Sequence, residues 1–189
     1  MKNLLVVVLG FLVGCGTSGI KPGDTVGGVK FKVMTPVDLT IPPLWAFDCN
    51  SAPQITSDTA TQSTPGAYNT TCTAPAAGTL LPIGQGWAAS TTALRDSRWT
   101  NVSSWKAVFD GKEIDLEAFG HFDGDIPTGP TTTEPGRIWN VNLDNPPAGH
   151  HTLEWKFVLA ADQPDGSFKN LKGTYDLNYA FDIVAPSAH

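Results

Sequence analysis

Gly149-His150-His151-Thr152-Leu153-Glu154-Trp155-Lys156-Phe157-Val158-Leu159 decides the fold. His151, Leu153, Trp155, Phe157 and Leu159 share one side of an extended chain, and Thr152, Glu154 and Lys156 take the other, a period of two that predicts a strand buried on one face. The last long stretch repeats the pattern, with Tyr175, Leu177, Tyr179, Phe181 and Ile183 inward and Asp176, Asn178 and Asp182 outward. Working back, Trp139, Val141 and Leu143 alternate with Asn140 and Asn142. Trp105, Ala107 and Phe109 alternate with Lys106 and lead into Asp110-Gly111, a tight-turn dipeptide before residues 112–116. Val29, Phe31 and Val33 alternate with Lys30 and Lys32. One-sided faces of this kind belong to antiparallel sheets packed in pairs. No apolar stripe of 3.6-residue period reaches helical length, so the expectation is an all-β chain, an antiparallel β-sandwich.

The rest of the body is less regular. Residues 37–41 and 44–48 are expected as strands on either side of Pro42-Pro43, which interrupts any central ladder. Residues 86–90 are expected as a further strand and 92–97 as a helical turn. The stretch 50–79 is rich in Ser and Thr, with Asp58 as its one charge and Ile55 and Tyr68 as its large apolar side chains. It reads as a long loop that cannot offset its own ordering entropy. The run Pro147-Ala148-Gly149-His150-His151-Thr152-Leu153-Glu154-Trp155, with Gly173-Thr174-Tyr175 and the alternating strand after it, resembles the final strand pair of bacterial immunoglobulin-like or fibronectin-III-like domains. The resemblance implies an immunoglobulin-like sandwich and nothing about activity.

Met1 and Lys2 precede an apolar run from Leu4 to Val13, too short to span a bilayer but suited to a secretory signal. The run closes with Leu12-Val13-Gly14-Cys15, which resembles the lipobox of bacterial lipoproteins. The resemblance implies cleavage before Cys15 and lipidation of its thiol and new amino terminus; an ordinary signal peptide with a chance cysteine is the alternative. Two or more acyl chains anchor a protein stably, so the implied partner is a membrane, and the implied location is the cell envelope: the outer membrane or the outer face of the cytoplasmic membrane. With Cys15 acylated by that resemblance, Cys49 and Cys72 remain as the one pair, which in an exported chain suggests a disulfide closing the Ser/Thr-rich loop; two free buried thiols is the competing reading. The expected organisation is residues 1–14 as a lipoprotein signal peptide, 15–27 as a flexible tether and 28–189 as a single β-sandwich domain.

Among the 189 residues, 41% are hydrophobic and 16% charged, with 19 Gly and 15 Pro, a turn-rich globular composition. The net charge of −6 argues against a nucleic-acid partner. No Gly-x-Ser-x-Gly elbow is present, and His121, His150, His151 and His189 read as structural or solvated, so no catalytic residue is assigned. Phosphate cradles and zinc-type clusters are absent from the sequence, and no cofactor is expected. Asp123-Gly124-Asp125 and Asp162 with Asp165 put oxygen ligands on tight loops that could suit calcium, against ordinary Asp-Gly turns. Of the six tryptophans, Trp105, Trp139, Trp155 and Trp45 fit core positions. Trp87 and Trp99 are the candidates for an exposed indole that stacks on a sugar. The functional expectation is a non-enzymatic, lipid-anchored β-sandwich acting as an interaction or structural module of the envelope. A carbohydrate-binding module is the alternative, and a glycan-acting hydrolase, which needs two converging acids, comes third.

Overall fold

The structure, a computed structural model, describes residues 19–52, 62–128, 131–164 and 169–185. The leader, Cys15 and Asp165 lie outside them. The strands in chain order are β1 (Thr25–Val26), β2 (Val29–Val33), β3 (Asp48–Ala52), β4 (Gln62–Ser63), β5 (Gly66–Ala74), β6 (Leu80–Pro82), β7 (Gly86–Ala88) and β8 (Val102–Phe109). They continue with β9 (Lys112–Glu113), β10 (His121–Pro127), β11 (Thr133–Trp139), β12 (Val141–Asp144), β13 (Gly149–Leu159), β14 (Gln163–Pro164), β15 (Lys169–Asn170) and β16 (Gly173–Ile183). Helix α1 spans Thr92–Asn101 and α2 spans Leu116–Phe119.

The protein is mostly β, as the alternation predicts. β13 and β16 form a long antiparallel pair running from Gly149↔Ile183 to Leu159↔Gly173, the centre of a six-stranded sheet of order β3-β5-β16-β13-β8-β9. A four-stranded sheet, β1-β2-β12-β6, packs over its inner face. The contact is direct: the Phe31 ring on β2 meets Phe109 on β8 edge-on with centroids 5.1 Å apart, and Trp155 Nε1 on β13 donates to the Ile83 carbonyl at 3.1 Å. Val29, Phe31, Leu81, Val141, Leu143, Leu153 and Trp155 are buried there together. The Asp110-Gly111 dipeptide makes the tight turn it predicts. Both residues take positive φ, 46° and 77°, and the Asp110 carboxylate accepts from the Thr152 backbone N–H and sits 2.8 Å from His151 Nδ1. His151 is buried against Phe109 as the alternation places it, while His150 is exposed beside Asp182.

Several expectations are corrected. The sheet is not purely antiparallel, because β5 runs parallel to β16 from Tyr175↔Gly66 to Ile183↔Ala74. Much of the Ser/Thr-rich stretch is therefore strand, with Tyr68, Thr70, Cys72 and Ala74 buried and Ala67, Asn69, Thr71 and Thr73 exposed. The Cys49–Cys72 disulfide is present, but it joins residues directly opposed across β3 and β5 and so ties strand to strand. Residues 37–41 and 44–48 are not strands: 3-10 helices occupy Pro36–Thr40 and Leu44–Ala46. Pro36 pre-sets the first turn, and Asp38 accepts from the Thr35 backbone N–H at 2.7 Å, closing a capping box before any extended pairing can form. The expected turn at 92–97 extends into the full α1, capped by the Thr91 hydroxyl accepting from Leu94 N–H. The tether does not reach residue 27. Ile20 is fully buried, with backbone bonds to Glu113 and Asp115, and Thr25–Val26 pairs with β2, so burial of one isoleucine fixes the chain from there on.

Candidate functional site

A cavity of about 840 Å³ lies against the inner face of the six-stranded sheet. Ligand sites typically span about 300–1,000 Å³. Around Leu153 and Trp155 the second sheet packs directly on this face. The cavity lining takes Tyr68 from β5 and Tyr175, Leu177 and Tyr179 from β16, together with Leu39, Ile41, Pro43 and Trp45 from the segment 38–46, where the two 3-10 helices replace a strand. Trp87, Trp105 and Phe157 also line it, as do Ile126, Pro127 and Ile138.

The aromatic walls are held by their own packing. Phe157 stacks on Tyr175 with centroids 4.8 Å apart and planes 9° from parallel, and Trp87 meets Phe157 edge-on at 4.8 Å. Trp87 is fixed by its backbone. Gly86 lies so close to β11 that a Cβ there would stand 2.1 Å from the Arg137 carbonyl oxygen, so only glycine lets β7 pair at that spacing. Arg98, buried at the end of α1, places its guanidinium 3.1 Å from the Trp87 ring centroid.

The polar side chains of the lining are Asp38, Thr40, Ser63, Gln85, Arg98, Thr128 and Asn170, with Tyr68, Tyr175 and Tyr179. Tyr68 donates its hydroxyl to the Thr64 carbonyl, and Tyr175 to the Leu171 carbonyl at 2.8 Å. The Asp38 carboxylate is engaged by Thr35 and by the Asn142 amide at 3.2 Å. Gln85 Nε2 donates to the Tyr179 hydroxyl at 3.2 Å. Burial raises the Tyr175 phenol and pushes Tyr179 up from the ordinary 10 to about 12, the bond from Gln85 offsetting only part of that. Because the folded value is raised, the stability due to neutral Tyr179 is complete below about pH 10 and is lost as pH climbs towards 12. At about 1.4 kcal/mol per unit this amounts to about 3 kcal/mol. We expect the stability advantage of the wild type over Tyr179→Phe in urea to shrink by that order between about pH 9 and 12. An advantage that stays constant across the range would contradict an enclosed phenol.

The structure separates the candidates read from sequence. Trp87 lines the cavity, but as a wall element with Arg98 over its ring. Trp99 is half-buried among Trp105, Trp139 and His121, with centroids 5.3 to 5.5 Å away, and Arg137 lies 5.3 Å from its ring. Neither presents the open face that a sugar platform needs. Trp45, expected in the core, is 37% exposed at the cavity. Asp123 is clamped by both ends of the Arg137 guanidinium, which holds its carboxyl below the usual range, and Asp125 is exposed on the same strand. Asp162 is bound to Lys169 at 2.7 Å and to the Lys172 backbone N–H at 2.7 Å. A calcium ion at Asp123 or Asp162 would have to displace those cationic partners, and no three His, Cys, Asp or Glu side chains among the described residues are grouped to hold a metal. No helix among them is long and apolar enough to cross a membrane. Tyr68, Tyr175, Tyr179 and Gln85 were not singled out by sequence. Their signal was present only as inward parity on β16, which does not distinguish a packed face from an open one. No family model, curated protein or solved structure matches the chain.

Proposed function

We propose that this protein is a non-enzymatic binding module, held outside the cytoplasm by a lipid on Cys15, that takes a small molecule into the aromatic-walled cavity. The observation that carries the binding reading is the cavity itself. An apolar cavity of about 840 Å³ with seven aromatic side chains in its lining, four of which, Trp87, Trp105, Phe157 and Tyr175, pack on one another, is a preformed ligand site. Its apolar walls are poor partners for water, and a ligand that covers them removes that surface from water. The anchor rests on the Leu12-Val13-Gly14-Cys15 motif, and the disulfide fits the same oxidising compartment. An immunoglobulin-like ancestry of the sandwich rests on the β13–β16 pair and its Pro/Gly turn; the parallel β5 is an addition to that plan.

Two measurements test the reading. Cys15→Ser is expected to abolish incorporation of labelled fatty acid and release the protein from membranes; undiminished labelling rejects the anchor. Native mass spectrometry of the protein from its own envelope is expected to show one small molecule retained per chain. A chain carrying none, with a melting temperature unchanged by solvent extraction, rejects the binding module.

A further inference from the structure

The class of ligand follows from what the cavity walls can and cannot satisfy, and this inference rests on the cavity being the binding site. Among the described residues, the Gln85 side chain makes one hydrogen bond, from Nε2 to the Tyr179 hydroxyl, and that hydroxyl only accepts it. That leaves a hydroxyl proton on Tyr179 and both an N–H and the amide oxygen on Gln85 without a partner, on residues that line the cavity. The other two tyrosines of the lining are spent on backbone carbonyls, Tyr68 on Thr64 and Tyr175 on Leu171. Asp38 is engaged through Oδ2 by Thr35 and Asn142. Arg98 presents its cationic plane to Trp87. Trp105 Nε1 is a buried donor without a partner among the described residues. The neutral Gln85–Tyr179 pair is the point of the lining where donors and an acceptor stand together, and it can donate twice and accept once.

From this we infer that the ligand is an uncharged, mostly apolar molecule carrying an oxygen function, a hydroxyl or carbonyl, which the Tyr179 hydroxyl and Gln85 amide grip while its chain or ring fills the space beside Leu177 and the 38–46 segment. Size fits a drug- or lipid-tail-sized body. A sugar fits poorly, because it carries a hydroxyl on nearly every carbon, and Leu177, Phe157, Ile138 and Pro82 offer those hydroxyls nothing. An anion is disfavoured at this point because the grip is made of neutral dipoles, the neutral phenol persists throughout the physiological range, and the Arg98 guanidinium of the lining stands over Trp87 instead.

The test uses the full lipidated chain in nanodiscs, with N-phenylnaphthylamine as the probe and energy transfer from tryptophan as the readout, since Trp45, Trp87 and Trp105 line the cavity and a probe dissolved in lipid is corrected with empty discs. One saturable site per chain is expected. Decanol is expected to displace the probe at lower concentration than decanoate. Tyr179→Phe is expected to raise the half-displacing concentration of decanol roughly three- to tenfold, the loss of one neutral hydrogen bond. Half-displacing concentrations are scaled by each variant's own affinity for the probe, and far-ultraviolet circular dichroism checks that each variant is folded. Gln85→Leu should act in the same direction, so a folding defect in one variant leaves the other to decide. Saturable uptake with decanoate as the better competitor, or with decanol displacement unmoved by both substitutions, overturns the ligand class while leaving the binding module standing. Absence of any saturable uptake overturns both.

Discussion

Truncating Trp155 to alanine is expected to lower the unfolding free energy by about 3–5 kcal/mol, a large part of the roughly 5–15 kcal/mol a domain this size possesses. The side chain is fully buried at the centre of β13, where both layers of the sandwich meet it. Its indole stands perpendicular to Trp105 with centroids 6.2 Å apart, and its Nε1 donates across the layers to the Ile83 carbonyl. Alanine would leave a void the size of an indole and a buried carbonyl without its donor, and the two losses compound. Trp155→Phe keeps most of the volume and loses chiefly the hydrogen bond, so a smaller loss is expected from it. Urea unfolding followed by far-ultraviolet circular dichroism measures both. A loss under about 1 kcal/mol for alanine would mean that the two sheets do not share the core described.

Removing the disulfide is the second large effect. Cys49 and Cys72 are 23 residues apart, and a cross-link of that span restricts the unfolded chain by about 3 kcal/mol on the loop-entropy treatment. Among the described residues β3 has β5 as its one neighbour at an edge of the six-stranded sheet, so the bond also secures a strand held by a ladder on one side alone. The Cys49→Ala/Cys72→Ala protein should lose about that amount, and the wild type in reductant should lose nearly as much. Agreement of the two isolates the covalent link from the small packing change at Cys72, which is 5% exposed. Stability unmoved by reductant would contradict the bond.

The parts of this fold visible in the sequence are those where large apolar residues alternate with charged ones. Leu153, Trp155 and Phe157 against Glu154 and Lys156, or Val29 and Phe31 against Lys30 and Lys32, can be buried in only one way. β5 has the same period of two, but Thr70, Cys72 and Ala74 supply the buried side and Asn69, Thr71 and Thr73 the exposed one. In side chains so similar in polarity the alternation vanishes. Its parallel partner lies about a hundred residues away, which no local pattern records. Trp45 misled for a different reason. Parity assigns faces on a strand, whereas a 3-10 turn has three residues per turn, so Leu44 goes inside and its neighbour Trp45 outside. Helix α1 has no apolar stripe because Arg98 is its buried residue. The cavity was hidden altogether. Tyr175, Leu177 and Tyr179 were placed on the correct side, but the space in front of them depends on how the 38–46 segment crosses, a tertiary outcome rather than a property of β16.

β16 follows β3, β5, β8, β9 and β13 in the chain, yet it is inserted mid-sheet, between β5 and β13. Until it arrives, β3-β5 and β13-β8-β9 are two separate ribbons, each with a naked rim of backbone amides and carbonyls open to misjoining. The six-stranded sheet therefore cannot close before β16 pairs, and the loops that bring such distant partners together make closing slow. A substitution that breaks the pairing of β16 accordingly splits the sheet in two, where one that breaks β3 or β9 only trims a rim.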